Sequence, residues 1–260
     1  MKKTIVKKTG MILLAVICMV GMVSAAQGHM LWLNASNYTP KAGENVTIDI
    51  GFGHKYPHTE AVKEENIERI FIRDPKGQEL PIEKAAPAKY AFSPKTEGLY
   101  EVVIKMKQGF VSNTPDGRKM GNKKSLPNAV SCFQFTMNAK VLINVGAKAS
   151  SPSPVSDLPL EMVLPENIGR LKVGDELALK VVYQGKPLAG AKVSATDKNT
   201  AQQQEGKWVQ ESESDDQGMV RMKLTSQGPW LITATHEIPF PDQSECDKST
   251  YRITLTLGLE

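Results

Sequence analysis

The sequence is poor in the residues from which many metal and catalytic sites are built. Its 260 residues include three cysteines and four histidines, and aromatic residues make up only 6% of the chain. So few thiols argue against a thiolate zinc cluster, which draws its ligands from closely spaced cysteine pairs. The chain also lacks a nucleophile elbow, a glycine-rich phosphate loop and an H-E-x-x-H motif. The sequence therefore predicts a protein that is not an enzyme.

Long apolar runs are also scarce, and the one that stands out lies at the N-terminus. Lysines at positions 2, 3, 7 and 8 precede the apolar residues 11–23, and the small residues 24–26 follow. This order is typical of a secretory signal peptide, and the run is too short for a membrane anchor. We predict a signal peptide at residues 1–26, a mature chain beginning at Gln27, and a periplasmic protein with no membrane span.

Net charge is absent from the predicted mature chain. The whole chain has 32 basic and 28 acidic residues, but the signal peptide carries four lysines and no acid, so 28 of each remain. A neutral chain lacks the overall excess of basic residues that is typical of proteins that bind nucleic acids. Nucleic acid is therefore not a predicted partner.

Helical periodicity is nearly absent, whereas alternating strand patterns between glycine and proline turns recur along the chain. This pattern predicts an all-β fold of two immunoglobulin-like or transthyretin-like antiparallel β-sandwich domains in tandem. The predicted boundaries are an N-terminal sandwich at 27–145, a Pro/Ser linker at 146–157 and a C-terminal sandwich at 158–260. Residues 110–128 are polar and are predicted to form a long loop.

The predicted mature chain retains two cysteines, Cys132 and Cys246. Export places them in an oxidising compartment, where a disulfide between them can form. Two separate buried thiols are the alternative.

The histidines are His29, His54, His58 and His236, and three of them crowd near the start of the predicted mature chain. Neutral imidazole suits nickel, copper, zinc and cobalt, whereas calcium and magnesium prefer oxygen ligands. Any one histidine is more often an ordinary surface or core residue. Their clustering predicts a metal site in which the four histidines converge, so that the ion clasps the two domains together.

His29 suggests a second kind of site. Cleavage after Ala26 makes it the third residue, so that the free amine, two amides and the imidazole could surround an ion in a square plane. That geometry favours copper(II) or nickel(II). A cleavage site shifted by one residue would remove this chelate.

Several blocks of the sequence resemble one family. They are residues 29–33 (HMLWL), the Gly53-His54 pair, residues 185–193 (GKPLAGAKV), the turn at 216–218 (DQG) and the strand ending at His236. Together they resemble the exported domain-of-unknown-function 4198 family, which includes NikK-type periplasmic components of nickel and cobalt uptake systems. The second half also resembles transthyretin-like (carboxypeptidase-regulatory-like) sandwiches.

The resemblance implies capture of nickel or cobalt for the membrane permease of an energy-coupling-factor uptake transporter. His29, His54 and His236 match the positions of the family's histidines, and His58 is added from its proximity in sequence. The predicted function is thus a periplasmic metal-binding transport component for Ni²⁺, with Co²⁺, Cu²⁺ and Zn²⁺ as alternatives. The competing hypothesis is a non-enzymatic adhesion or carbohydrate-facing module.

Overall fold

The computed structural model describes residues 29–60, 62–146, 157–165, 171–204 and 207–259. The predicted signal peptide and most of the predicted linker lie outside these residues. No helix within the described ranges has the length and apolar character needed to cross a membrane.

The described residues of the first half form ten strands and one short 3-10 helix, Glu64–Asn66. The strands are β1 (Met30–Ala35), β2 (Val46–Gly53), β3 (Ile67–Arg73), β4 (Glu79–Leu80), β5 (Glu83–Ala86), β6 (Lys89–Phe92), β7 (Gly98–Met106), β8 (Gly109–Thr114), β9 (Gly117–Met120) and β10 (Ser131–Val145).

In the second half, the part of the chain that the structure describes forms eight strands and one short helix, α1 (Lys198–Gln203). The strands are β11 (Leu160–Val163), β12 (Glu176–Tyr183), β13 (Lys186–Pro187), β14 (Lys192–Asp197), β15 (Gln210–Glu213), β16 (Met219–Lys223), β17 (Gly228–Pro239) and β18 (Lys248–Leu259).

These strands form three sheets. The N-terminal sheet has the order β1-β2-β6-β5, and the C-terminal sheet has the order β11-β12-β13 with β16 also paired to β12. Between them lies a ten-stranded central sheet whose main path runs β15-β14-β17-β18-β10-β7-β3-β4. The predicted all-β fold of two sandwiches is confirmed, and both sandwiches use this central sheet.

The two halves meet in the central sheet through β10 and β18, which pair in parallel from Phe133↔Lys248 to Val141↔Thr256. The sequence predicted antiparallel strands throughout, and this parallel pair is the exception among the strand pairs of the described residues. The two sandwiches are therefore hydrogen-bonded to each other along one continuous sheet.

The two cores lie on opposite faces of the central sheet. Val102 and Ile104 of β7 belong to the N-terminal core, whereas Leu99 and Val103 of the same strand belong to the C-terminal core. A strand covered on both faces buries nearly every side chain, which explains why residues 98–106 are almost continuously apolar. The core of each sandwich is completed by alternating apolar residues of its outer sheet.

A charged cluster is buried at the junction between the halves. Lys140 of β10 donates to Glu101 of β7 at 2.8 Å and to Glu161 of β11 at 3.0 Å, and none of the three is more than 1% exposed. Burial disfavours the ammonium form, but the two carboxylates outweigh it and raise the pKa of Lys140. Since an unpaired buried charge is costly, the cluster holds β11 against the central sheet.

A disulfide joins Cys132 at the start of β10 to Cys246, which precedes β18. The two Cα atoms are 4.9 Å apart, within the range that a disulfide spans, and 114 positions separate the residues in sequence. The bridge therefore closes a loop that contains most of the second half.

The predicted loop at 110–128 is wrong over much of its length. Residues 109–114 and 117–120 form the hairpin β8–β9, and β8 also pairs with β10. The segment looked like a loop because β9 is exposed at every residue and therefore shows no apolar alternation.

Candidate metal site

The first two strands bring two of the histidines together. Strands β1 and β2 are antiparallel, and Met30 lies opposite Gly53 in their register. One step beyond this pair, His29 precedes β1 and His54 follows β2, so the two side chains meet at the same end of the hairpin. Their ring centroids are 3.8 Å apart, and the His29 ring also stacks on Phe52.

The chain then turns back and supplies a carboxylate. The backbone N–H of Glu60 donates to the carbonyl of Phe52 at 2.6 Å, and Thr59 accepts from the Phe52 N–H at 3.0 Å. Gly53 permits this return because its φ of +149° is a conformation that side-chain-bearing residues avoid. A Cβ at Gly53 would also lie only 3.2 Å from the Glu60 carboxylate.

The three side chains form a compact donor group. His29 Nε2 lies 3.0 Å from Glu60 Oε2, and His54 Nδ1 lies 3.0 Å from Glu60 Oε1. One ligand atom from each residue can be chosen so that all three lie within 4.8 Å of one another. Donor atoms that bind one ion at about 2.1 Å and at right angles are themselves about 3 Å apart. Small local movements would therefore let the three residues share a cation.

The charges of the group favour a cation. Hydrogen bonds from His54 and His29 lower the pKa of Glu60, so its carboxylate stays ionised at neutral pH. Each imidazole donates an N–H hydrogen bond to that carboxylate, at a nitrogen where a metal ion could take the place of the proton. Two nitrogens and one oxygen, without a thiolate, form a donor set that suits nickel, cobalt, copper or zinc.

Contacts from the second half hold both sides of the site. Arg252 of β18 donates from Nη1 to the backbone carbonyl of His29 at 2.8 Å. Tyr56, in the turn between His54 and Glu60, is only 3% exposed and packs edge-on against Trp32. Ala201 of α1 and Leu231 of β17 belong to the same buried cluster. The hairpin end that carries the donors is therefore packed against the second sandwich.

The predicted convergence of four histidines is wrong. His58 lies in the turn after the Tyr56–Pro57 peptide, where it is exposed and forms an isolated bridge with Lys55. Among the described residues, His29, His54 and Glu60 are the group with metal-site spacing, and His58 does not belong to it. The His58 imidazole therefore stays exposed, outside the donor group.

His236 faces the other side of the central sheet. It pairs with Tyr251, and its ring lies 4.7 Å from that of Tyr183 on β12. The next residue of β18, Arg252, faces His29 instead, because successive side chains of a strand point to opposite faces. Burial lowers the pKa of His236. The predicted clasp between domains is therefore also wrong, and a metal would be held on the N-terminal side alone.

Glu60 is the third donor of the group, and the sequence did not predict it. It lies six residues after His54 in a loop, where no strand or helix periodicity relates the two side chains. Its position depends on the hydrogen bonds that return the loop to Phe52. What points to Glu60 in the sequence is its place as an acidic residue, two positions after the loop that contains two histidines.

Comparison with known proteins identifies the family. The profile described as "Domain of unknown function (DUF4198)" matches residues 26–238, which span both sandwiches. No curated protein matches the chain.

Solved structures give distant similarities. The fibronectin(III)-like modules of Clostridium thermocellum CbhA share 10% identity, with 86% of this chain and 93% of that chain covered and a TM-score of 0.20. A Salmonella alpha-2-macroglobulin shares 12% identity at a TM-score of 0.24, with 89% of this chain covered. The chain spans only 15% of that protein's length.

Proposed function

The chain belongs to the DUF4198 family, and we propose that it is an exported divalent-metal binding protein that captures Ni²⁺ for a membrane permease. Co²⁺, Cu²⁺ and Zn²⁺ are the alternative ions. The observation that carries the proposal is the His29–His54–Glu60 group, whose donor atoms lie within 4.8 Å of one another. The proposed location is the periplasm, and the proposed role is binding and delivery without catalysis.

The site's exposure suits delivery better than permanent storage. The side chains of His29, His54 and Glu60 are 36%, 41% and 52% exposed. An ion held there would keep part of its coordination sphere open to water or to a ligand from a partner. A structural metal site is usually closed by four protein ligands, and this one offers three.

The test is a titration of the protein, without a histidine tag, with Ni²⁺, in which calorimetry measures the binding. We expect one Ni²⁺ per chain, and we expect His54→Ala to weaken binding at least about tenfold because one of three donors is lost. His236→Ala is the matched control and should bind as the parent does. Equal affinities for the parent and the His54→Ala protein would contradict the proposal.

The same titration separates this site from a chelate at the N-terminus. A chelate formed by the first three mature residues would use His29 but neither His54 nor Glu60. Loss of binding in His29→Ala with full binding in both His54→Ala and Glu60→Gln would assign the ion to the N-terminal chelate instead.

One observation favours the second candidate, a carbohydrate-facing module. Tyr183, Tyr251 and His236 form a partly exposed ring cluster, with centroid distances of 5.1 Å for the tyrosine pair and 4.7 Å for Tyr183 and His236. Aromatic faces of this kind can bind sugar rings. Polysaccharide binding that is lost in Tyr183→Ala and insensitive to metal would support that function.

A further inference from the structure

A groove of about 980 Å³ opens beside the proposed metal site and includes His29 in its wall. Its lining is rich in flexible and aromatic apolar side chains, which come from β2, β7, β9 and β10. They are Phe52, Met106, Met120, Phe133, Phe135 and Met137. Such a volume accommodates an organic molecule well beyond the size of a hydrated ion.

The groove carries positive charge that the protein itself does not neutralise. Its acids are already paired: Glu237 with Lys248 at 2.8 Å, and Asp247 with Lys123. Lys107 and Arg118 also line the groove, and within the described ranges neither reaches a carboxylate at salt-bridge distance.

Arg118 is exposed and lies beside the aromatic wall of the groove. It donates from Nε to Asn113 at 3.4 Å and lies 6.0 Å from the centre of the Phe133 ring. A guanidinium beside an aromatic wall is suited to a carboxylate that carries an apolar body.

The neighbouring donor group needs additional ligands. His29, His54 and Glu60 supply three donors and one negative charge, so a bound Ni²⁺ would keep a net positive charge and open coordination positions. Since His29 belongs both to the donor group and to the groove, a molecule in the groove could place its own donors on the ion.

We propose that the groove binds the organic part of a metal chelate, so that the cargo is an ion together with a small anionic chelator. The chelator would have a carboxylate for Lys107 and Arg118, an aromatic or aliphatic body for the methionine and phenylalanine side chains, and donors that complete the coordination of the ion. This inference rests on the metal site proposed above and specifies the form in which the ion is taken up.

The test compares Ni²⁺ alone, picolinate alone and an equimolar Ni²⁺–picolinate mixture by calorimetry with the full mature chain. Picolinate is a suitable probe because its pyridine nitrogen and one carboxylate oxygen chelate the ion, while its aromatic ring and its second carboxylate oxygen remain available to the groove. We expect the mixture to bind at least about tenfold more tightly than Ni²⁺ alone, because the groove adds contacts to the same ion.

The variant Lys107→Gln/Arg118→Gln should lose most of that gain and bind Ni²⁺ alone as the parent does. The matched control is Lys172→Gln/Lys186→Gln, which removes two exposed lysines outside the groove and should keep the gain. A mixture that binds the parent no more tightly than Ni²⁺ alone would overturn the inference while leaving the metal site intact. So would a gain that survives in the groove variant.

The outcomes also separate this inference from the proposed function. Binding of neither Ni²⁺ nor the mixture would overturn both proposals. If the parent binds the Ni²⁺–picolinate mixture but not Ni²⁺ by itself, and the groove variant does not bind the mixture, the result would support the chelate as the form of the cargo.

Discussion

Glu60 is the residue on which the electrostatics of the candidate site depend. It accepts from both imidazoles, and these hydrogen bonds lower its pKa. A metal would meet a carboxylate that is already ionised and two imidazoles that must give up protons. Little of the competition between protons and metal at this site should therefore come from the acid.

The first prediction concerns pH. Metal ligands bind deprotonated and metal binding releases protons, so the Ni²⁺ affinity should be lower at pH 5.5 than at pH 7.5. Glu60→Gln should bind more weakly at both values but with the same pH dependence, because the lowered pKa keeps Glu60 ionised across this range. Calorimetry at several pH values measures both, and a flatter profile in Glu60→Gln would contradict the assignment.

Gly53 gives the second prediction. Gly53→Ala places a methyl group against the Glu60 carboxylate and forces an unfavourable backbone angle, so we expect weaker Ni²⁺ binding and a stability loss of about 1–3 kcal/mol. Gly43→Ala is the matched control: its φ is +86°, and nothing lies within 4 Å of the added Cβ. It should lose stability and keep its affinity. Urea unfolding measures the loss of stability, and metal titration measures the loss of affinity. An equal loss of Ni²⁺ affinity in the two variants would contradict the role of Gly53 in placing Glu60.

Among the elements, the turn between β2 and the 3-10 helix depends on one aromatic anchor. Tyr56 is buried between Trp32 and residues of α1 and β17, and it is flanked by the loop's donors His54 and Glu60. Its hydroxyl has no hydrogen-bond partner among the described residues, and burial raises the pKa of Tyr56. The ring rather than the hydroxyl therefore holds the turn.

The third prediction compares two changes at this position. Tyr56→Phe should change the free energy of unfolding by no more than about 0.5 kcal/mol, because no hydrogen bond is lost. Tyr56→Ala should cost about 3–4 kcal/mol and weaken Ni²⁺ binding, because it leaves a cavity under the donor loop. Denaturant titration gives the stabilities and calorimetry the affinities. A Phe variant as weak as the Ala variant would show that the hydroxyl matters after all.

Particular strands show how much of the fold could be predicted from the sequence. Residues 98–106 were predicted as a strand, and β7 has those bounds because a turn glycine starts a run that is apolar except at Glu101 and Lys105. The β8–β9 hairpin was missed because β9 is exposed throughout, which leaves no periodic signal. His29 and His54 were predicted as partners, but their contact depends on the β1–β2 register. His236 was misplaced because its position in the sequence does not show which face of the sheet its side chain occupies.

On the scale of the whole molecule, the disulfide and the buried charges connect distant parts of the chain. Cys132 and Cys246 join segments 114 residues apart, while Lys140 and Glu161 join β10 to the start of the second half. Both connections lie beside the parallel pair of β10 and β18. The fold is therefore closed at the junction by covalent, ionic and hydrogen bonds together.

The fourth prediction is that reduction destabilises the protein. A loop of this length constrains the unfolded chain by nominally about 5 kcal/mol, so a reducing agent should lower the melting temperature by about 10 °C or more. The double variant Cys132→Ala/Cys246→Ala should start from the lower temperature and respond no further. Intact mass of the exported, thiol-blocked protein gives the oxidation state directly, and two free thiols would contradict the pairing.

The parallel ladder between β10 and β18 also decides how the molecule could be divided. Separate polypeptides for residues 27–150 and 151–260 would each expose an open sheet edge, and the first would keep Lys140 without Glu161. Mixed together, they should recombine through those edges and behave as a split protein. Because Arg252 and Leu231 support His29 and Tyr56 from the second piece, metal binding would return only on reassembly, which makes the ion a reporter of fragment complementation.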